Sequence, residues 1–313
     1  MNKKKIISVI VPCYNEEKAI MSFYNEIFYV IEDIKKYDFE IIFINDGSKD
    51  NTFEVLKILS NKDNRVKYIS FSRNFGKEAA MLAGLKSSKG EYTVLMDCDL
   101  QDPPRLLPEM ISIMESGYDS VATRRCSRKG EPPIRSIFAR TFYKIMNKIS
   151  QIDIVDGARD YRMMSRKMLD SILELQEYHR FTKGIFGWVG FETKWIEYEN
   201  VERVEGETKW SFGKLVLYAI EGIVAFTTVP LRLASLTGGV ISILSIIYTI
   251  FIVIKTMFFG VDVPGYASLI SIIMFLGGIQ LIALGIIGEY ISRTYMEVKR
   301  RPHFIIKETN IKL

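Results

Sequence analysis

The sequence predicts an α/β domain built on a parallel sheet with helices on both faces, followed by interfacial helices and a two-helix transmembrane hairpin. Two observations predict it. Short apolar runs alternate with amphipathic stretches through the first 125 residues, the pattern of strands separated by covering helices. Beyond them, residues 233–287 form a stretch whose only charges are Lys255 and Asp262, although the whole chain of 313 residues holds 42 Lys and Arg against 37 Asp and Glu. The chain is therefore made of two physical materials. A hydrophobic content of 48% excludes a disordered protein, and three Cys exclude a small disulfide scaffold. Cys13, Cys98 and Cys126 read as reduced, intracellular thiols.

In order along the chain, strands are expected at Ile6 to Val11, Glu40 to Ile44, Val66 to Phe71, Tyr92 to Met96 and Ser120 to Ala122. Helices are expected between them at Glu16 to Lys35, Thr52 to Ser60, Lys77 to Ser87 and Pro104 to Ser116. Residues 133–150 place Ile134, Ile137, Phe138, Phe142, Ile145, Met146 and Ile149 on one helical face and Arg140, Lys144 and Lys148 on another. That is a basic amphipathic helix suited to an anionic membrane surface, the alternative being a core-packing helix. A second interfacial helix is expected over 211–232, where Lys214 and Glu221 lie seven residues apart and so on one face.

The runs Leu233 to Ile254 and Val263 to Gly288 are each long enough, as helices, to cross about 30 Å of hydrocarbon. The spans fall at about 233–256 and 264–288, within a membrane unit of 233–290. Arg232 precedes them and Arg293, Lys299, Arg300 and Arg301 follow, so the positive-inside rule puts both flanks, both termini and a basic tail of 291–313 in the cytoplasm, on the inner face of the plasma membrane. Two buried core helices are the alternative, disfavoured because such helices normally show a polar face. The N-terminus is not a signal peptide, since Ile6 to Val11 is too short for its apolar region. Gly238-Gly239 and Gly277-Gly278 permit close helix packing, including that of a homo-oligomer.

Ligands of open parallel sheets collect beyond the carboxyl ends of the strands. Those ends hold Pro12-Cys13-Tyr14-Asn15-Glu16, Asn45-Asp46-Gly47-Ser48, Ser72 to Lys77 and Asp97 to Asp102. Asp97 and Asp99, with Gln101 following, offer hard oxygen ligands to a divalent cation that can bridge a diphosphate. The alternative is an acidic loop capping the next helix, a role that suits Asp102 before Pro103-Pro104. Asp46 suits hydrogen bonding to a base or ribose, although Asn-Asp-Gly-Ser is also an ordinary turn. Arg73 and Lys77 bracket Asn74-Phe75-Gly76, a turn able to present backbone N–H groups and a Lys to a phosphate. There is no Gly-rich P-loop and no G-x-G-x-x-G. His179 and His303 are the only histidines, and no His/Cys cluster argues for zinc.

Taken together, Pro12-x-x-Asn15-Glu16, Asn45-Asp46-Gly47-Ser48-x-Asp50, Arg73-Asn74-x-Gly76-Lys77, Asp97-x-Asp99-Leu100-Gln101-Asp102-Pro103-Pro104 and Gly206-x-x-Lys209-Trp210 resemble the family 2 glycosyltransferases of the polyisoprenyl-phosphate subgroup. That subgroup includes bactoprenol glucosyltransferases and is similar to dolichol-phosphate mannose synthases. The resemblance covers nearly the whole chain. It implies a GT-A fold over residues 1–210, a Rossmann-like mixed sheet with helices on both faces, together with a nucleotide-sugar donor, a polyprenyl-phosphate acceptor and Mg2+ or Mn2+; no nucleic acid is expected as a partner. By position it implies Asp97, Asp99 and Gln101 as metal ligands. Pro12, Tyr14, Asn15, Glu16, Asp46, Asn74, Gly76, Lys77 and Asp97 would serve the donor. Arg124, Arg135 and Lys209 would serve the acceptor phosphate, and Asp160, in Asp160-Tyr161-Arg162, with Asp99, is the candidate active-site carboxylate; the alternative for Asp160 is a pairing with Arg159 or Arg162 that fixes the loop. Asn45 stands where the family often has a second Asp.

The reaction so implied is inverting transfer of a hexose, from UDP-glucose or UDP-N-acetylglucosamine first, for cell-envelope glycan modification. A processive polysaccharide synthase is a rival, weakened by the lack of a Gln-x-x-Arg-Trp element and by two spans being too few for a polymer channel. A membrane-tethered sugar-nucleotide sensor is another, weakened by the intact Asp97-x-Asp99.

Overall fold

The computed structural model describes residues 4–125, 140–141, 144–150, 152, 155–199, 212–259 and 265–312. It divides into a unit of 1–222 with 302–313 and a unit of 223–301. Eight strands form one sheet in the first unit, in the order β7-β5-β6-β4-β1-β2-β3-β8. The five strands read from the sequence are β1 (Lys5–Cys13), β2 (Tyr37–Asn45), β3 (Val66–Phe71), β4 (Tyr92–Leu95) and β5 (Ser120–Arg125). Between them lie α1 (Ala19–Glu32), α2 (Thr52–Lys62), α3 (Lys77–Ser87) and α4 (Leu107–Glu115). β1, β2, β3 and β4 are parallel neighbours, and their near-continuous apolar runs are those of strands covered on both faces.

Three further strands make the sheet mixed. β6 (Ala158–Ser165) runs antiparallel between β4 and β5, β7 (Thr193–Tyr198) is parallel to β5, and β8 (Ile306–Thr309) is antiparallel to β3. The sequence puts 291–313 in a basic tail, but residues 302–312 belong to the first unit and carry its edge strand. Two more helices, α5 (Arg166–Glu174) and α6 (Thr182–Trp188), follow β6.

α1 covers one face with Ile20, Phe23, Ile27, Phe28 and Ile31. α3 covers the other and is buried from Ala79 to Leu85, with small residues where it meets the sheet. Gly84 sets that approach. A Cβ there would lie 2.1 Å from Cγ2 of Ile10 and 2.8 Å from Cδ1 of Ile44.

Of the basic amphipathic helix expected over 133–150, residues 144–149 are described and helical; Met146 is buried while Lys144, Ile145 and Lys148 are exposed. Residues 133–139 and 142–143 lie outside the described residues. The interfacial helix expected over 211–232 is α7 (Phe212–Phe226), and it stops earlier. The Thr227 hydroxyl accepts the Val229 N–H at 3.1 Å, and Pro230 sits in the first turn of the next helix, where its missing N–H costs nothing. That helix, α8 (Val229–Phe259), overruns the predicted 233–256 span at both ends, whereas α9 (Tyr266–Lys299) starts just inside the predicted 264–288 span and runs past its end. Both are long and apolar enough to cross a membrane, each holding an 18-residue stretch of high mean hydropathy, 2.3 within Val229–Phe259 and 2.0 within Ile272–Lys299.

The close packing of α3 leads to a test. Gly84→Val should destabilise the chain by about 1–3 kcal/mol, the usual cost of overpacking, because the gain in helix propensity is smaller than the clash. Thermal unfolding of the detergent-solubilised protein measures it, and an unchanged or higher Tm would contradict this packing.

Candidate active site

The chain leaves β1 for β2 and β3 on one side, then crosses back to β4 on the other. The carboxyl ends of β1 and β4 thus flank a topological switch point, where helix-covered sheets leave a crevice. Short bonds gather the strand ends there. The Met96 N–H donates to the Ile10 carbonyl at 3.1 Å and the Asp46 N–H to that of Cys13 at 2.9 Å. Cys13 and Cys98 are buried free thiols at this edge; Cys126 lies outside the described residues.

At the β1 and β2 ends, Pro12 is the next-to-last residue of its strand and Tyr14 begins the turn. Asn15 takes the left-handed backbone at φ 54°, which Asn tolerates. Its N–H donates to the Ser48 hydroxyl at 2.9 Å, and its side-chain oxygen accepts the Lys49 N–H at 2.8 Å. The Glu16 N–H donates to Thr52 Oγ1 at 2.9 Å. Gly47, at φ +63°, could carry no Cβ, since the atom would lie 2.3 Å from the Arg73 carbonyl carbon. Asn45 donates to Ser70 Oγ at 2.9 Å and accepts the Ser48 N–H at 3.1 Å, so it ties two strand ends together.

Asp46 corrects one expectation. Its two oxygens accept the N–H groups of Phe75 (2.7 Å) and Gly76 (3.0 Å), so those amides are spent on Asp46 and are not turned to a phosphate. Burial nevertheless pushes the Asp46 carboxyl up. Asn74 lies exposed in the same loop, its carbonyl accepting from the Arg73 guanidinium at 2.9 Å.

Lys77 opens α3 and joins the two carboxylates nearest the switch point. Its ammonium lies 2.8 Å from Asp97 and 2.6 Å from Asp160. Asp160 reaches this place because β6 is antiparallel to β4: Leu95 pairs with Arg162, so the start of β6 lies beside the end of β4. Burial opposes the charge of Lys77, but Asp160 and Asp97 outweigh it and hold the ammonium above its ordinary range. Burial likewise opposes the Asp160 carboxylate, and Lys77, Lys183 and Arg159 outweigh it and hold its pKa well below the usual range.

The Asp97–Asp102 turn is pinned by Leu100 in the left-handed region, φ 57°, with the Gln101 N–H donating to Asp99 at 3.1 Å. Asp102 is not the helix cap the sequence suggests. Fully buried, it accepts from Arg159 Nε at 3.2 Å, the Tyr198 hydroxyl at 3.1 Å and the Asp97 N–H at 3.3 Å. Gln101 turns its side-chain oxygen to two guanidinium groups, Arg125 at 3.2 Å and Arg159 at 3.4 Å.

Successive strand residues point to opposite faces, and β5 separates Arg124 from Arg125 accordingly. Arg124 pairs with Glu197, while Arg125 faces Gln101. Arg135, Lys209 and the Gly206-x-x-Lys209-Trp210 motif lie outside the described residues. The sequence reading missed Arg125, Tyr198 and Glu78, and it named Arg159 only as a loop-fixing partner of Asp160. Strand parity was the available signal for Arg125.

Among the described residues no three His, Cys, Asp or Glu side chains converge as a closed metal cage. The donor chemistry still fits Mg2+ or Mn2+, because such ions are held by one or two carboxylates plus substrate phosphate oxygens. The Lys77 ammonium already sits on Asp97, marking that carboxylate as a cation seat.

The description Glycosyl transferase family 2 matches residues 8–173, and that of a GtrB C-terminal hairpin matches residues 229–294. The chain belongs to glycosyl transferase family 2, and its architecture is of the GT-A type with two apolar C-terminal helices. A Bacillus subtilis (strain 168) protein named as a glycosyltransferase, CsbB, is 49% identical over 309 residues, 99% of this chain and 93% of that one. The prophage bactoprenol glucosyl transferase homolog of Escherichia coli (strain K12) is 44% identical, over 96% of this chain and 98% of that one. The mannosyltransferase PcManGT from Pyrobaculum calidifontis, solved in complex with GDP-Man and Mn2+, is 16% identical with a TM-score of 0.49, over 71% of this chain and 63% of that one.

Glu78, the second residue of α3, accepts both the N–H and the hydroxyl of Thr182 at the start of α6. Burial pushes its carboxyl up to about 7. A raised pKa means the folded state binds the proton more tightly, so this group's stabilisation is full below its ordinary value of 4.5 and is lost as pH rises through 7. Glu78→Gln should therefore shrink the fall in Tm between pH 5 and pH 8. An unaltered fall in thermal scans of the variant would contradict the assignment.

Proposed function

We propose that the chain is an inverting glycosyltransferase that moves a hexose from a nucleotide-diphosphate sugar to polyprenyl phosphate at the cytoplasmic membrane face. UDP-glucose is the first donor expected and UDP-N-acetylglucosamine the second, in cell-envelope glycan modification. The observation that carries this reading is the pair of carboxylates Asp97 and Asp160 joined by Lys77 at the switch point, with Asp99 in the adjoining turn, in a chain that also holds two membrane-length helices. Full-length relatives named bactoprenol glucosyl transferase, from Shigella phages SfII and SfX, are 43% identical over 97% and 96% of this chain and support a lipid-phosphate acceptor.

The donor nucleotide is read at the β1 and β2 ends, where Tyr14, Asn15, Glu16 and the Asp46-closed loop form the rim. Asp97 and Asp99 would hold the divalent cation, which neutralises the departing diphosphate when bound. Arg125 and Arg159 supply the fixed positive charge that a phosphomonoester needs in a site shielded from water. That acceptor has a second pKa near 6 and is largely anionic at pH 7, so the reaction needs no strong base. Asp160 suits this chemistry. Held below the usual carboxylate range by Lys77, it is a poor proton acceptor and serves to orient the acceptor and to stabilise positive charge developing on the sugar ring.

Chain connectivity supports the topology. Residues 302–312 return to the sheet that precedes the hairpin, so both hairpin ends join the same unit and belong on one side of the bilayer.

Membranes supplied with undecaprenyl phosphate and labelled UDP- and GDP-sugars test the activity. EDTA should abolish transfer and Mg2+ or Mn2+ restore it. Asp99→Ala should lower kcat at least about a hundredfold, the scale of the several kcal/mol that charge neutralisation supplies. Full activity in EDTA would sink the metal role. For topology, single cysteines placed in 260–264 should label from outside intact cells with a membrane-impermeant maleimide, and one placed at Leu313 should not; external labelling at Leu313 would refute the two-span arrangement.

A further inference from the structure

The C-terminal segment does more than cover the edge of the sheet. Strand β8 and the residues after it account for edge protection: Thr309 Oγ1 donates to the Tyr68 carbonyl at 2.7 Å, and the Asn310 side-chain oxygen accepts the Tyr68 N–H at 2.8 Å. His303 and Phe304 precede that strand and make different contacts. Phe304 stacks on Phe71 with ring centroids 5.0 Å apart and planes 12° from parallel. Phe71 in turn meets the edge of Phe75 at 5.7 Å and 90°. The Phe75 N–H is one of the two amides bound to Asp46, and Lys77 follows two residues later. A register shift between Ser70 and Phe71 marks the point where β3 departs from regular pairing, a device that re-aims a side chain. The Ser72 N–H then donates to the Ile305 carbonyl at 3.0 Å, which ties the start of the 72–77 loop to the same segment.

The second contact lies on the other side of Lys77. His303 Nε2 is 2.9 Å from the Glu177 carbonyl, and its ring stacks on Tyr178 at 5.7 Å. Residues 177–181 lead into Thr182, whose N–H and hydroxyl hold Glu78, the neighbour of Lys77. Two adjacent side chains of one segment therefore brace the elements on either side of the lysine that joins Asp97 to Asp160.

We propose that His303 and Phe304 are positioning residues for the donor site, with Phe304 acting through Phe71 and Phe75 to set the loop that closes on Asp46. This rests on the assignment of Asp46 and its loop to the donor nucleotide. Losing one aromatic pair corresponds to roughly a three- to tenfold change in an equilibrium constant. The probe is UDP, bound by the full-length protein in detergent and followed by calorimetry. Phe304→Leu keeps the apolar volume and loses the ring, and should weaken UDP binding by about that factor. Phe304→Tyr keeps the ring and should restore affinity to within about twofold. Thr309→Val loosens the strand without touching the ring and should lower Tm while leaving the UDP affinity unchanged.

Phe304→Leu with wild-type affinity would overturn the inference, and so would equal losses of affinity in Phe304→Leu and Thr309→Val, because the effect would then be general loosening of the edge. Wild-type protein that binds no UDP would instead remove the donor-site assignment and this inference together. Binding of UDP by the wild type with loss in Phe304→Leu and recovery in Phe304→Tyr is the supporting result.

Discussion

The Lys77 ammonium, held between Asp97 and Asp160, is the interaction on which the site depends. Three elements that are distant in sequence meet there: the start of α3, the end of β4 and the start of β6. Two carboxylates brought together at neighbouring strand ends repel and resist ionisation, and a shared cation removes both costs. On the proposed reading, a site that balances paired carboxylates with one side chain's charge would trade that charge for a metal's when a diphosphate arrives.

A second network fixes the geometry behind the first. Asp102 lies fully buried and is satisfied by Arg159, Tyr198 and the Asp97 amide, so the backbone of the Asp97–Asp102 turn hangs from it. Burying a carboxylate is costly unless it is paired and hydrogen-bonded, and here it is both. The consequence is a rigid seat: Asp99 and Gln101 are carried by a turn whose ends are anchored and whose middle residue, Leu100, is held in the left-handed region. Arg159 serves both networks, since it also reaches Gln101 and lowers the pKa of Asp160. Positive charge is thereby concentrated beside the Asp97–Asp102 turn.

The chain's two materials solve two different solubility problems with one polypeptide. The sheet unit carries its ions in pairs and buries its apolar runs between helices. The 223–301 unit does the reverse and leaves residues such as Leu236, Phe251, Phe275 and Leu281 exposed along two long helices. Exposed apolar surface of that extent suits an apolar solvent or an apolar partner. Charges return at Glu289 and Arg293, within α9, so the helix outlasts its apolar part and ends among polar residues before the left-handed Arg300 stops it.

Sequence by itself determined the five strands β1 to β5 and the four helices between them, because a buried parallel strand needs a short apolar run and a covering helix needs an apolar face. It also determined the hairpin, whose signal is simply length without charge, and the line of polar strand ends where Asp46, Asp97 and Asp99 stand. Only the tertiary structure decided what each of those groups touches. The loop amides beside Lys77 looked available for phosphate, yet they are spent on Asp46, 29 and 30 residues away. Asp102 looked like a local helix cap, yet its partners Arg159 and Tyr198 come from strands 57 and 96 residues further on. β8 was illegible for the same reason. Its short run Ile306–Thr309 has no strong period of its own and becomes a strand because β3, 240 residues earlier, offers an unpaired edge. Local pattern reports which face a residue prefers; which partner it meets is set by sheet order and strand direction, and those are properties of the whole fold.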